Sequence, residues 1–315
     1  EGYFQQLYTE KDSGRLYGEG WLNLQTLEKE IRYIIMGGLG YYEYDMDNAH
    51  YNILYQYNRL TGGVALDTMR YYIDNTDKVR EDLSNEFGIE KKLIKRILLA
   101  YVYGHKLKIH GGKYDTVKKK YVDTELLGKI IKFCDGNRDD GLFISKYVSQ
   151  NKFIGELHKE IDLAYEEMKT TWITRYSGDK ERLVNPFQNE IMINKLNKDT
   201  GKYIRKNKGQ LLSHILQGIE AMILDIIINE EGEGSFIMAH HDGWVSKTNH
   251  DTSRLESTIR VITDRIMNKY NGCDGGFAIG IKKIKLNNPI ETDWVDEIKN
   301  ISNQTTTTNI VKNTL

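Results

Sequence analysis

Cysteine and proline are both scarce in this chain of 315 residues, which contains two of each. Cys134 and Cys273 are too few to build a disulfide framework or a zinc site by themselves. The scarcity excludes a small disulfide-stapled fold. It favours an intracellular, reducing compartment, which can be the cytoplasm of a cell or of a phage-infected host, or an organelle.

The chain also lacks a membrane-spanning run, a secretory leader and an excess of either charge. Its longest apolar run, 221–228, contains Asp225 and is far shorter than the roughly 20 residues that a bilayer requires. No signal-peptide-like segment opens the chain. It begins without an initiator Met, so we expect a processed product or an excised domain. The formal net charge of −1 provides no global argument for a nucleic-acid partner.

What is present is an ordinary globular composition, 39% hydrophobic and 28% charged, with enough residues for two or three lobes. We find no internal repeat. Positive charge is clustered locally, over 91–96, 118–120 and 202–208. For 118–120 we interpret the cluster as a solvated surface.

Two carboxylates follow a β-rich run in the first fifth of the chain. Tyr41–Tyr44 predicts a strand, and Asp45 and Asp47 come after it. If the strand continues through both, their side chains share one face; if the chain bends after Asp45, only that residue has a fixed position. A carboxylate at a strand end can hold Mg²⁺ against a phosphate. The simpler interpretation is a strand-to-helix turn capped by Asp47 or Asn48.

Three helices are predicted next, over 49–60, 77–87 and 89–105, from apolar residues at helical spacing. In the third, Lys95 and Tyr103 are two turns apart, about 12 Å along the axis and within about 80° of one face. That face can offer a cation to a phosphate and a flat ring to a sugar or base. The alternative is a surface helix whose lysines contact only water.

A further carboxylate is predicted at the tip of a hairpin. A helix over 210–229 leads into a strand over 235–239 and then into His240-His241-Asp242. An apolar run, a His-Asp-Gly turn and a second apolar run are typical of a β-hairpin. The two histidines suggest a transition-metal site, but hard cations prefer oxygen ligands, so we expect His241 to orient the hairpin.

Two strands that each end in a carboxylate predict a shared metal site. Asp45 and Asp242 can grip two Mg²⁺ ions, for which Mn²⁺ would substitute. In phosphoryl transfer one such ion activates a hydroxyl and the other holds the leaving pyrophosphate. Lys95, on the helix between them in sequence, would neutralise an incoming triphosphate.

The order of these motifs resembles the polymerase domain of family A DNA polymerases, which share their palm and fingers with single-subunit RNA polymerases. The match extends over about 230 of the 315 residues. Five segments carry it: Ser13-Gly14-Arg15 with Asn23-Leu24-Gln25-Thr26 (TGR…NLQN in the family), Asp45 to Leu54 (DYSQIELRIL), Lys95 with Tyr103-Gly104 (K…YG), Gln217-Gly218 (QG) and His241-Asp242 (HDE).

The resemblance implies a role for each matched residue. Asp45 and Asp242 fall on the metal-binding catalytic carboxylates, Lys95 on the residue that grips the triphosphate, and Tyr103 beside the templating base and the sugar. The nucleotide site would also include Lys91, Arg96, Leu99 and His50, and the primer–template contacts would be Arg15, Asn23, Gln25, Gln217 and His241.

The chain departs from the family pattern at several of these positions. His50 replaces the Glu that acts as a steric gate against a ribose 2′-hydroxyl, which leaves the choice of sugar open. Lys91 replaces an Arg and loses its bidentate grip, and Leu99 replaces a Phe. Gly243 replaces the Glu of HDE, as in single-subunit RNA polymerases, and 211–214 is also closer to the RNA enzymes.

These observations predict an α+β fold, a right-hand polymerase palm with an antiparallel sheet and helices, plus mostly helical fingers. Residues 1–60 and 206–315 would form the palm and 61–205 the fingers. Because 12 residues precede the TGR-like segment, we expect little or no thumb. The predicted function is template-directed addition of dNTPs to a primer 3′-hydroxyl. The partners are template–primer nucleic acid, the nucleotide and a separate thumb or processivity factor, with no membrane.

Three alternatives stay open. Asp47 can replace Asp45, because a frame moved by two still has a strand-end carboxylate, although the Asp45 frame also aligns Ile53-Leu54. The substrate can be rNTPs, in an RNA polymerase-like or primase-like enzyme: the TGR and NLQ segments favour DNA synthesis, whereas Gly243 and Ser213-His214 favour RNA. A catalytically degenerate module that only binds nucleic acid is the third.

Overall fold

The computed structural model describes most of the chain. The described residues are 7–20, 23–103, 113–115, 120–122, 125–171, 173–177, 180–196, 201, 203–232, 234–240, 242–272 and 274–286.

Ten helices and thirteen strands lie within the described residues. The helices are α1 (Lys29–Gly37), α2 (Ala49–Leu60), α3 (Asp67–Asp74), α4 (Thr76–Phe87), α5 (Lys91–Val102), α6 (Glu125–Phe133), α7 (Arg138–Gln150), α8 (Lys152–Thr171), α9 (Lys208–Glu231) and α10 (Thr252–Asn271). The strands are β1 (Tyr8–Glu10), β2 (Leu16–Gly18), β3 (Tyr42–Met46), β4 (Lys113–Asp115), β5 (Lys120–Val122), β6 (Ile173–Ser177), β7 (Lys180–Val184), β8 (Glu190–Met192), β9 (Asn194–Leu196), β10 (Tyr203–Arg205), β11 (Phe236–His240), β12 (Gly243–Ser246) and β13 (Ile281–Lys285). The predicted α+β class, with helices and antiparallel sheet, is confirmed.

A four-stranded antiparallel sheet in the order β11-β12-β3-β13 lies at the centre. Strand β3 is therefore inserted between β12 and β13, which follow it by about 200 and about 240 residues. Its side chains alternate as expected for a strand with one buried face: Tyr44 and Met46 are buried, and Asp45 between them is exposed. Tyr44 stacks on Trp244 of β12 with ring centroids 4.8 Å apart. The predicted strand and hairpin are confirmed.

The turn after β3 connects the sheet to the helices. Asn48 adopts a left-handed conformation (φ 44°) and precedes α2, whose bounds match the prediction. Asn48 does not cap that helix with its side chain; its carboxamide oxygen accepts a hydrogen bond from Arg80 of α4 at 2.7 Å. Tyr51 of α2 donates to the carbonyl of Leu98 in α5 at 2.7 Å. These contacts fix the helical region against the end of β3.

The core lies between α2, α9 and the helices α3 to α8. Ile53 and Leu54 of α2 are fully buried, and each such side chain contributes about 1.5–3 kcal/mol. Helix α9 is long and apolar enough to cross a membrane by length and composition, but 78% of its most apolar window is buried inside the protein. It is thus the central core helix of the described fold.

Helix α5 begins after the left-handed Gly88, which ends α4 as predicted. Its buried stripe includes Leu93, Ile97 and Tyr101, and its other face carries the basic residues. Alternating residues around Pro186 predict a hairpin or an extended segment over 183–193, and the structure has a hairpin there, strands β7 and β8 of a three-stranded sheet. The tail after residue 286 lies outside the described residues.

Candidate active site

Asp45 and Asp242 lie on neighbouring strands at the base of a cleft. Asp242 immediately precedes β12, in which Gly243 is paired with Asp45. The backbone N–H of Met46 donates to the carbonyl of Asp242 at 2.8 Å. Both aspartate side chains line the cleft, which has a volume of about 400 Å³. Antiparallel pairing thus brings together two carboxylates that are 197 residues apart in sequence.

The carboxylates affect each other's protonation. The cleft walls displace water around Asp45, and this desolvation, together with repulsion from Asp242, raises the pKa of Asp45 to about 7, although the charge of Lys95 acts in the opposite direction. Solvent still reaches the Asp45 side chain. A divalent cation between the two groups would relieve the repulsion.

The donor set fits a hard divalent cation. Mg²⁺ at phosphoryl-transfer sites is bound by one or two carboxylates together with water and substrate phosphates. Asp45 and Asp242 supply such oxygen ligands. Among the described residues no group of three or more His, Cys, Asp or Glu side chains is placed to hold a metal.

Asp47, the alternative carboxylate, has a different partner. The ammonium nitrogen of Lys282 lies 2.6 Å from its Oδ1. Lys282 is also the β13 residue paired with Asp45, and its charge lowers the pKa of Asp45. Asp47 is therefore held in an ion pair beyond the end of β3, whereas Asp45 lies within the strand, opposite Gly243.

Gly243 is explained by the close approach of the two strands. A Cβ at this position would come within 2.3 Å of the Tyr44 carbonyl oxygen and 3.3 Å of the Asp45 Cα. Real Cβ atoms do not approach backbone atoms so closely, so a third carboxylate at position 243 would force β3 and β12 apart. The packing of these strands thereby excludes a carboxylate at position 243.

Helix α5 presents one face to the cleft. Lys95, Leu99 and Tyr103 line it, at intervals of four residues. Lys91 and Arg96, also predicted nucleotide ligands, do not line it. Lys91 lies beside α4 instead, with its ammonium 3.5 Å from Asp77 Oδ1 and 3.6 Å from Glu81 Oε2.

His50 and Tyr103 form a ring pair in the cleft wall. The Tyr103 hydroxyl lies 2.9 Å from His50 Nε2, and the ring centroids are 5.1 Å apart. His50 is 8% exposed. Gln217, a predicted primer–template contact, also lines the cleft and hydrogen-bonds to Tyr103.

Behind this ring pair lies a buried ion pair that was not among the sequence predictions. Arg15 Nε donates to Glu220 Oε1 at 2.6 Å, and the second guanidinium nitrogen donates to Oε2. His50 Nε2 lies 2.9 Å from the same Oε2. Burial would raise the pKa of Glu220, but His50 and Arg15 outweigh it and lower that pKa. Burial would likewise lower the pKa of Arg15, and Glu220 raises it.

The other predicted primer–template contacts are engaged within the chain. The Arg15 guanidinium is held by Glu220 as described. The Asn23 side chain donates to Gly20 O at 2.9 Å. Gln25 joins β2 to β11, because its amide nitrogen donates to both Leu16 O and Ala239 O. His241 lies outside the described residues.

Three groups in or behind the cleft wall were missed by sequence reasoning: Arg80, Lys282 and Glu220. Arg80 on α4 and Lys282 on β13 add cations to the lining, but only tertiary packing brings these two side chains to the cleft. Glu220 carried a usable signal. It is an acidic residue within the apolar stretch 215–228, and a charge buried there needs a partner.

The site therefore combines the adjacent carboxylates of Asp45 and Asp242, four cationic side chains (Arg15, Arg80, Lys95 and Lys282) and a ring pair in one cleft. Cations at a cleft wall attract phosphates, and an aromatic ring offers a surface to a sugar or base.

A scan against models of protein families and a search of curated proteins gave no match. A search of solved structures finds a likeness to the POL domain of Pol1 from M. smegmatis in complex with DNA primer-template and dNTP, with 11% identity and a TM-score of 0.45. The match covers 89% of this chain and 47% of the other, so the chain spans about half of that protein's length.

Proposed function

We propose that this chain is a template-directed nucleotidyltransferase that adds dNTPs to the 3′-hydroxyl of a primer, in the manner of family A DNA polymerases. The observation that carries the proposal is the pairing of β3 with β12, which sets Asp45 beside Asp242 in the cleft that Lys95 and Tyr103 also line. The sequence motifs predict the same four residues.

In this proposal Asp45 and Asp242 hold Mg²⁺, which supplies charge neutralisation and activates the primer hydroxyl when bound. The 3′-oxygen forms a bond to the α-phosphorus of the nucleotide as the bond to pyrophosphate breaks. Lys95 neutralises the triphosphate, and Arg80 and Lys282 add positive charge around it. The His50–Tyr103 pair packs against the sugar of the incoming nucleotide.

The proposed division of the chain follows the central sheet. Residues 1–60 contribute β3 and 206–315 contribute β11, β12 and β13, so both segments belong to the proposed palm. Residues 61–205 contribute α5 and most of the other helices and would be the fingers. A separate chain or domain is proposed to supply the thumb that holds template and primer.

The direct test is primer extension with Mg²⁺ and dNTPs on a template–primer duplex. Extension should be lost in Asp45→Ala and in Asp242→Ala, since each variant removes one of the two carboxylates. Asp47→Ala is the matched control: it removes a carboxylate from the same cleft that is paired with Lys282, and most activity should persist. Undiminished extension by either of the first two variants would contradict the assignment. Template binding by wild type without any nucleotide addition would favour the binding-only alternative.

RNA synthesis is the second candidate, and Gly243 favours it, because the packing of β3 against β12 excludes the carboxylate that DNA enzymes of the family carry there. Single-turnover incorporation of dNTP and rNTP opposite one template base distinguishes the two. If His50 limits the sugar, His50→Glu should increase the exclusion of ribonucleotides.

A further inference from the structure

Glu220 is a fully buried carboxylate behind the cleft wall, and it belongs to none of the matched motifs. Its side chain is 0% exposed. It lies on α9, one helical turn from Gln217, and its two oxygens contact Arg15 on one side and His50 on the other. A charge in such a position is expensive unless every oxygen has a partner.

The geometry assigns the hydrogen between Glu220 and His50. A carboxylate that is paired with an arginine stays ionised and can only accept hydrogen bonds. The hydrogen in the 2.9 Å contact therefore belongs to Nε2 of His50. The Tyr103 hydroxyl oxygen lies 2.9 Å from the same Nε2 and 3.4 Å from Nδ1, so it contacts the same ring. Glu220 thereby sets both the tautomer and the orientation of the ring that Tyr103 contacts.

We propose that Glu220 is a positioning residue for nucleotide selection: it holds the His50–Tyr103 pair in the one arrangement that excludes a ribose 2′-hydroxyl. This inference rests on the proposed function. Discrimination would come from the bulk of a ring that cannot move, and the negative charge that keeps it in place lies behind the wall, out of contact with the sugar. The ion pair with Arg15 offsets the desolvation cost of that buried charge.

The test compares Glu220→Gln with Glu231→Gln. Glu231 is a second buried glutamate of α9 that also contacts a histidine, at 3.0 Å, but that histidine, His250, is not among the residues that line the cleft, whereas His50 is. The measured quantity is the ratio of kcat/KM for dNTP to that for the matching rNTP. We expect Glu220→Gln to lower this ratio about tenfold. The His50 ring would shift when it loses its hydrogen bond to Glu220, and we expect that shift to change the pocket about as much as a missing methylene group does. Glu231→Gln should leave the ratio unchanged.

Two further measurements separate positioning from a general structural role. In a His50→Ala background Glu220→Gln should have no additional effect on the ratio, because Glu220 acts through that ring. The ¹⁵N chemical shifts of His50 should report hydrogen on Nε2 in the wild type, and its loss or exchange to Nδ1 in Glu220→Gln. If Glu220→Gln does not fold, Arg15→Met/Glu220→Gln removes the unpaired cation as well and takes its place.

The outcomes are distinct. A ratio that changes less than about twofold in Glu220→Gln, or the same change in Glu231→Gln, overturns the inference and leaves the proposed function intact. If wild-type protein adds neither dNTP nor rNTP, the proposed function is refuted, and so is the role of Glu220 in nucleotide selection. The His50 shifts, which need no catalysis, then still decide whether Glu220 fixes the ring.

Discussion

Helix α9 carries two buried glutamates, and the contrast between them indicates what the cleft requires. Glu220 and Glu231 are 11 residues apart, about three helical turns and roughly 16 Å, and therefore point to nearly the same side of the helix. Both have a histidine within 3.0 Å. Glu220 lies behind the cleft wall with an arginine, whereas Glu231 lies against the central sheet.

The surroundings of Glu231 are those of a structural tie. It accepts a hydrogen bond from the Trp244 indole, and one from the Ser246 hydroxyl at 2.6 Å. Trp244 in turn stacks on Tyr44 of β3, so this carboxylate anchors β12, the strand that follows Asp242. The two glutamates share their chemistry, and their difference lies in what they hold: a pair of strands in the case of Glu231, and a ring of the cleft wall in the case of Glu220.

The largest expected effect is on stability. Glu220→Gln leaves the Arg15 guanidinium buried without an anion, which costs about 3–5 kcal/mol. Glu231→Gln keeps an oxygen acceptor for its indole or hydroxyl donor and should cost about 1–3 kcal/mol. Urea denaturation gives both free energies of unfolding. The double variant Arg15→Met/Glu220→Gln should recover much of the loss. If both single variants lowered the free energy of unfolding equally, Glu220 in its ion pair and Glu231 in its hydrogen bonds would not differ in the way proposed.

A smaller effect is expected on dNTP binding, and it should distinguish the α5 lysine that lines the cleft from the one that does not. Lys95 lines it and Lys91 pairs with α4. Loss of a charge-assisted contact to a phosphate costs about 1.5–3 kcal/mol, so Lys95→Ala should weaken dNTP binding about tenfold or more. Lys91→Ala, which removes an exposed ion pair, should change it less than about twofold. Titration with dNTP on a template–primer complex measures both. A larger loss in Lys91→Ala would show that Lys91 turns toward the nucleotide on binding.

Local pattern was sufficient to predict the elements that carry the carboxylates. The bounds of α2 follow from its apolar period, and β3 and the hairpin follow from β-rich runs with a turn between them. The adjacency of Asp45 and Asp242 was inferred from chemistry, since register between strands 200 residues apart has no local signal. The order of the motifs along the chain indicated that adjacency, which the spacing of apolar residues does not.

The sequence did not reveal which polar side chains form hydrogen bonds or ion pairs within the chain itself. Asn23 and Gln25 match a nucleic-acid-binding motif, yet their amides satisfy backbone groups of the chain itself. Lys91 is four residues from Lys95 and so shares its helical face, but Asp77 and Glu81 of a neighbouring helix attract it away. The Arg15–Glu220 pair joins residues 205 apart. In each case the competing partner is brought close by tertiary packing, which spacing along the chain does not encode.

The smallest effect concerns the carboxylates themselves. The folded-state pKa of Asp45 is raised to about 7 from 3.8, so between these values the native state binds more protons than the unfolded state, and stability falls as pH rises. Asp45→Asn removes this fall. The variant should exceed wild type in free energy of unfolding by about 1 kcal/mol at pH 8, after solvent screening, and by little near pH 4. Asp47→Asn should give no such gain, because it breaks an ion pair with Lys282.

Mg²⁺ should make wild type more stable than Asp45→Asn at pH 8, since the cation stabilises the form that binds it. Thermal melts of both proteins with and without Mg²⁺ check this. A wild type that is unaffected by Mg²⁺ would mean that repulsion between Asp45 and Asp242 is not retained for binding a cation.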